Sequence, residues 1–75
     1  MKHLVDRARS LHSRGLPHLR ILRQRKGLSL SQLADLTGLR RDTITQLENG
    51  RMEPEPSHVR LLARALEVPT LDLVS

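Results

Sequence analysis

Two short apolar periodicities separated by a single glycine constrain this sequence more than any other feature. Ser29-Leu30-Ser31-Gln32 has the form of a capping box, in which the Ser29 hydroxyl accepts from the Gln32 amide and the Gln32 side chain reaches back. Leu30, Leu33 and Ala34 follow at i, i+3 and i+4, so a helix is expected up to Thr37. Gly38 then stops it, because glycine takes positive φ at no steric cost. After a three-residue turn, Leu39, Ile44 and Leu47 point one way, while Arg40, Arg41, Asp42, Thr43, Thr45 and Gln46 point the other. A helix from Arg41 to Glu48, terminated by Asn49-Gly50, accounts for that division.

The flanking segments read as helices too. Pro17 is a good first-turn residue for a helix carrying Leu19, Leu22 and part of Ile21, running to Lys26 and stopped by Gly27. The stretch Arg51 to Pro56 is a loop, since its two prolines preclude a regular ladder. Ser57 is expected to cap a fourth helix with Val59, Leu62, Ala63 and Leu66 on its inner face, broken by Val68-Pro69. Thr70 is expected to cap a last short helix bearing Leu71, Leu73 and Val74. Before all of these, Leu4, Val5, Ala8 and Leu11 form a helix-compatible stripe, a short helix or a basic arm.

Composition narrows the fold class. The 75 residues contain no cysteine and no aromatic residue. Disulfides and thiolate metal sites are therefore excluded, and the core must be aliphatic, which suits packed helices better than sheets. The expectation is all-α: a compact bundle of about five short helices over residues 18–75, with a basic N-terminal extension over 1–17. Its expected core includes Leu30, Leu33, Ile44, Leu47, Leu62 and Leu66. No apolar run is long enough for a membrane span, and the N-terminus lacks the apolar stretch of a signal peptide. A cytoplasmic location is expected.

Charge supplies the first functional hint. The net is +5 and the sequence pI is near 11.4, which favours a polyanionic partner. The excess lies at the front: residues 1–26 hold Lys2, Arg7, Arg9, Arg14, Arg20, Arg23, Arg25 and Lys26 against Asp6 alone. The remainder holds Arg40, Arg41, Arg51, Arg60 and Arg64 against seven acids.

Leu30 to Thr37, a tight turn, then Arg41 to Glu48 is a helix-turn-helix arrangement. Such a pair needs a small residue where the helices cross, and Ala34 is there. It needs a turn like that at Gly38, and apolar residues such as Leu39, Ile44 and Leu47 to hold the second helix. The outer face of that helix is then able to enter a major groove about 12 Å wide.

Residues 18–74 resemble the phage-repressor-like, Xre-type transcription regulators. The matching segments are LRILRQRKGLSLSQLADLTG, LRRDTITQLENGRMEP and LLARALEVPTLDLV. The resemblance covers about three quarters of the chain and includes the LENGR-x-x-P exit and the ALEVP end. It implies a lambda-repressor-like DNA-binding domain in which Arg41, Asp42, Thr45 and Gln46 present side chains to base edges. Arg41 suits guanine O6 and N7, Gln46 suits adenine N6 and N7, and Asp42 is able to accept from a cytosine amine. Leu30 stands where the family often has a phosphate-contacting glutamine, so Ser29 or Ser31 has to substitute. Arg40 replaces the usual serine or threonine cap and is placed to reach a phosphate instead. Asn49 and Arg51 match positions beside the DNA backbone. Arg23 and Glu48 match a buried ion pair between the first and third helices of the domain.

The function implied is a sequence-specific, double-stranded DNA-binding transcriptional regulator, a repressor, without catalysis and associated with the nucleoid. One helix reads only about 4–6 base pairs, so a homodimer on an inverted repeat is expected. Leu71, Leu73 and Val74 are the expected dimer contact, with Leu4 and Leu11 as a second candidate. An alternative on the same fold is an antitoxin or coactivator-like interaction module, whose partner is a toxin or the transcription machinery. No cofactor or metal is expected: His3, His12, His18 and His58 show no i, i+4 pair. Glu48 has no second carboxylate with a defined role beside it, and phosphate loops and nucleophile motifs are absent.

Overall fold

Helices of five to eleven residues are too short to persist alone in water, so their stability comes from packing. The computed structural model describes residues 15–74 and shows five such helices. They are α1 (Leu19–Arg25), α2 (Leu30–Thr37), α3 (Arg41–Glu48), α4 (Pro56–Leu66) and α5 (Thr70–Val74). Among the described residues there is no strand, and no helix is long and apolar enough to cross a membrane. The stripe of Leu4, Val5, Ala8 and Leu11 lies outside the described residues.

The core is aliphatic throughout. Leu16, Leu19, Leu33, Ile44, Leu47, Leu62, Leu66 and Leu73 are fully buried, with Ala63 beside them. Leu22, Leu30, Ala34, Leu39 and Val59 pack against this cluster while keeping some exposure. Every helix donates at least one side chain to the cluster, so the short helices hold one another in place.

Local chemistry fixes the α2–α3 turn. The Gln32 N–H donates to Ser29 Oγ at 3.0 Å and the Ser29 N–H donates to Gln32 Oε1 at 2.8 Å, a complete capping box. At the other end Gly38 has φ +78° and its N–H donates to the Ala34 carbonyl at 2.8 Å. Thr37 Oγ1 donates to the Leu33 carbonyl at 2.8 Å and accepts from the Leu39 N–H at 3.2 Å. This buried hydroxyl thereby locks the chain as it leaves α2.

The structure corrects three helix starts. Pro17 lies in a turn before α1, which begins at Leu19 with His18 at the cap position. The cause is tertiary: the Gly15 N–H donates to the Met52 carbonyl and the Leu16 N–H to the Leu47 carbonyl, both at 2.9 Å. These bonds pin the chain to the exit of α3, and it needs Pro17 and His18 to turn into the helix. A Cβ on Gly15 would lie 2.6 Å from Gly50 Cα and from the Leu47 carbonyl oxygen, and Gly15 has φ +69°, so only glycine fits. Leu16, on the extension side of the expected boundary, is part of the core.

Ser57 is not the cap of α4. The helix begins one residue earlier at Pro56, and Glu55 is the extended cap residue, with its N–H donating to His58 Nδ1 at 3.0 Å. Proline is tolerated at the first helical position because its missing N–H would have no intrahelical acceptor there. Likewise Thr70 is the first residue inside α5 rather than ahead of it.

At the far end of α4 the break comes at Glu67, which adopts φ +58°. Its carboxylate pairs with Lys26 at the end of α1, and that ammonium holds the Glu67 carboxyl below the usual carboxylate range.

Candidate nucleic-acid interface

The helix α3 is divided into two faces by its own sequence. Ile44 and Leu47 sit in the core with no exposure and fix its position from behind. In front, Arg41 and Asp42 are exposed, and Thr43, Thr45 and Gln46 are partly exposed. The face expected to read bases is therefore presented on a rigid support.

The start of α3 departs from ordinary helix chemistry. Arg40 is the cap residue, in an extended conformation with no side-chain bond to the helix, and Arg41 follows as the first helical residue. Two cations at the positive end of a helix oppose its dipole, and Asp42 is the only acid in that first turn. Uncapped N–H groups and two guanidinium groups together make this end attractive to an anion.

Gln46 and Asp42 meet across one turn. Gln46 Nε2 donates to Asp42 Oδ2 at 3.1 Å on the exposed face. The two side chains thus meet on the exposed face of α3.

Behind the exit of α3 lies an ion-pair network. Glu48, whose side chain is 3% exposed, accepts from Arg23 Nε at 2.7 Å and from Arg23 Nη2 at 3.2 Å. Arg23, 11% exposed, also donates from Nη1 to the Leu28 carbonyl at 2.9 Å. Arg20, 52% exposed, donates from Nε to Glu48 at 3.3 Å and from Nη2 to Asn49 Oδ1 at 2.6 Å. The network joins α1 to the end of α3. Arg20 escaped the sequence reading, although it lies one turn before Arg23 on the same helix face, which is the signal that finds it.

The remaining candidates fall around α3. Asn49 uses its amide oxygen on Arg20, which leaves its amide hydrogens to donate elsewhere. Arg51 is exposed, and its N–H donates to the Gln46 carbonyl at 2.9 Å, continuing the exit turn. Ser29 and Ser31 are both exposed at the start of α2. The Ser29 oxygen is engaged in the capping box, so its hydroxyl hydrogen is what it has to offer a phosphate. Leu30 between them is half-buried against the core.

Leu73 requires correction. Expected at a dimer surface with Leu71 and Val74, it is fully buried, whereas Leu71 is 66% and Val74 50% exposed. Leu4 and Leu11 lie outside the described residues, as do His3 and His12. Among the described residues no three His, Cys, Asp or Glu side chains come together as a metal site.

A family profile described as helix-turn-helix matches residues 19–73. Over 58 residues the chain is 40% identical to the uncharacterized HTH-type transcriptional regulator RghRB of Bacillus subtilis, covering 76% of this chain and 42% of that protein. Over 52 residues it is 40% identical to the HTH-type transcriptional repressor RghR of the same bacterium, covering 68% of this chain and 38% of that protein. The chain thus spans about two fifths of the length of these relatives. In shape it is similar to the restriction-modification controller protein C.AhdI from Aeromonas hydrophila, with a TM-score of 0.74 and 33% identity. That likeness covers 88% of this chain and 97% of the controller protein.

Proposed function

The chain belongs to the Xre-like helix-turn-helix family, and we propose that it is a transcriptional regulator, a repressor, that binds double-stranded DNA sequence-specifically with α3 in the major groove. The observation that carries this reading is the division of α3: two fully buried aliphatic residues behind, and Arg41, Asp42, Thr45 and Gln46 in front.

In this reading Arg41 takes guanine and Gln46 takes adenine through bidentate hydrogen bonds, with Thr45 beside them. Arg40, Ser29, Ser31, Asn49 and Arg51 hold phosphates and set the register of α3 without reading sequence. The positive net charge adds an attraction that falls steeply with salt. A protein of this kind works beside the chromosome, in the cytoplasm.

One α3 spans too few base pairs to select a site in a genome, so two copies act on an inverted repeat. The exposed Leu71 and Val74 of α5 are the apolar residues offered for that association.

Replacing Arg41 and Gln46 together by alanine tests the assignment. Each lost bidentate contact removes about 1–3 kcal/mol of discrimination, so preferred and scrambled duplexes become nearly equal competitors. The melting temperature stays close to that of the parent, because neither residue belongs to the core. Unchanged selectivity in a folded double variant removes α3 from the role of reader.

A further inference from the structure

We infer that Asp42 sets what Gln46 reads: by occupying one amide hydrogen, it makes the Gln46 side chain select adenine over guanine. This rests on the proposed placement of α3 in the major groove. The 3.1 Å bond runs from Gln46 Nε2 to Asp42 Oδ2. Its direction is dictated by chemistry, since the Gln46 amide oxygen has no hydrogen to give an ionised carboxylate. The spacing is i, i+4, where side chains one turn apart on a helix meet.

The consequence follows from counting donors and acceptors. A glutamine amide has two N–H donors and one carbonyl acceptor. In the major groove adenine shows an acceptor, N7, and a donor, N6, whereas guanine shows two acceptors, N7 and O6. An unrestrained amide serves either purine: it offers one donor and its oxygen to adenine, or its donors to guanine. With one N–H held by Asp42, Gln46 has one donor and one acceptor left. That set matches adenine. Facing guanine, the amide oxygen would meet a second acceptor, and the Asp42 carboxylate behind it would deepen the repulsion.

Asp42 is thus a positioning residue that acts through Gln46, not a second reader with a base of its own. Asn in its place removes the charge but keeps an oxygen that is able to accept from Gln46 Nε2, whereas Ala removes both. The pair of substitutions separates the hydrogen bond from the charge.

The test is selection of duplexes from a random pool by the parent chain and by the Asp42→Ala, Asp42→Asn and Gln46→Ala variants, each shown folded by circular dichroism. The base pair read by Gln46 is the one whose preference Gln46→Ala abolishes. There the parent should favour adenine over guanine about tenfold or more, within the usual range for one bidentate contact. Asp42→Ala should bring that ratio within about threefold, and Asp42→Asn should keep most of it. An unchanged ratio in Asp42→Ala overturns the inference. So does loss of preference at a different base pair, which would make Asp42 an independent reader, and so does an Asp42→Asn variant that behaves like alanine. If Gln46→Ala alters no position of a site the parent does select, Gln46 is not a reader and the inference falls with it. If the parent enriches no sequence, the placement of α3 in DNA fails as well, a result distinct from the others.

Discussion

Replacing Glu48 by alanine is expected to remove most of the chain's stability and bring it close to unfolding under conditions where the parent is firmly folded. The Glu48 carboxylate is almost wholly buried and closes two hydrogen bonds with Arg23. Without it, Arg23 keeps, among the described residues, only the Leu28 carbonyl and remains a charge 11% exposed. Breaking a buried pair by removing one partner costs about 3–5 kcal/mol. A small domain has about 5 kcal/mol or little more to lose, so this one change consumes most of it. The Arg20–Glu48 pair, lost with it, adds little to the cost, since Arg20 is half exposed and solvent weakens that interaction. Urea denaturation should show the loss directly. Replacing Arg23 and Glu48 together by methionine should recover much of it, because the cost is that of the orphaned charge rather than of the missing pair. A Glu48→Ala midpoint equal to the parent's would contradict the account of the network.

The second large effect concerns α5. Leu73→Glu is expected to unfold the chain or detach this helix, not merely to alter association. Leu73 is fully buried in the common core. Truncating such a leucine already costs about 2–5 kcal/mol, and an unpaired carboxylate in its place adds to that. Leu71→Glu, on the exposed side of the same helix, should change stability by no more than about 0.5 kcal/mol. If α5 carries the dimer contact, Leu71→Glu lowers the sedimenting mass to that of one chain while the far-ultraviolet spectrum is kept. A folded Leu73→Glu variant with native stability would contradict the burial of α5.

These two residues show why some of the molecule is legible in the sequence and some is not. Both limits of α2 and the end of α3 follow from local chemistry: the Ser29–Gln32 box, the positive φ of Gly38, and the Asn49-Gly50 exit act within a few residues of themselves. The pairing of Arg23 with Glu48 is long-range, so periodicity does not show it and only the family resemblance implies it. The burial of Leu73 is not legible in the sequence because α5 is only five residues long. At about 100° per residue, Leu71 and Leu73 lie on opposite sides of so short a helix, while Leu71 and Val74 share one. Nothing local says which side meets the core. Pro17 is similar: its preference for a first turn gives way to the backbone bonds that Gly15 and Leu16 make to the end of α3. At α4 the local signals competed, and Pro56 with the Glu55–His58 bond prevailed over Ser57. The Asp42–Gln46 pair lies at ordinary i, i+4 spacing, but its meaning needs the rest of α3 to be fixed from behind.

Whether the exposed face of α3 reads base edges is tested most directly by selection of bound duplexes from a random pool. Work at about 150 mM salt suppresses binding that depends on phosphates alone. The expected result is an enriched inverted repeat, each half containing a guanine contacted by Arg41 and an adenine contacted by Gln46. No enrichment from protein that circular dichroism shows to be folded would contradict it.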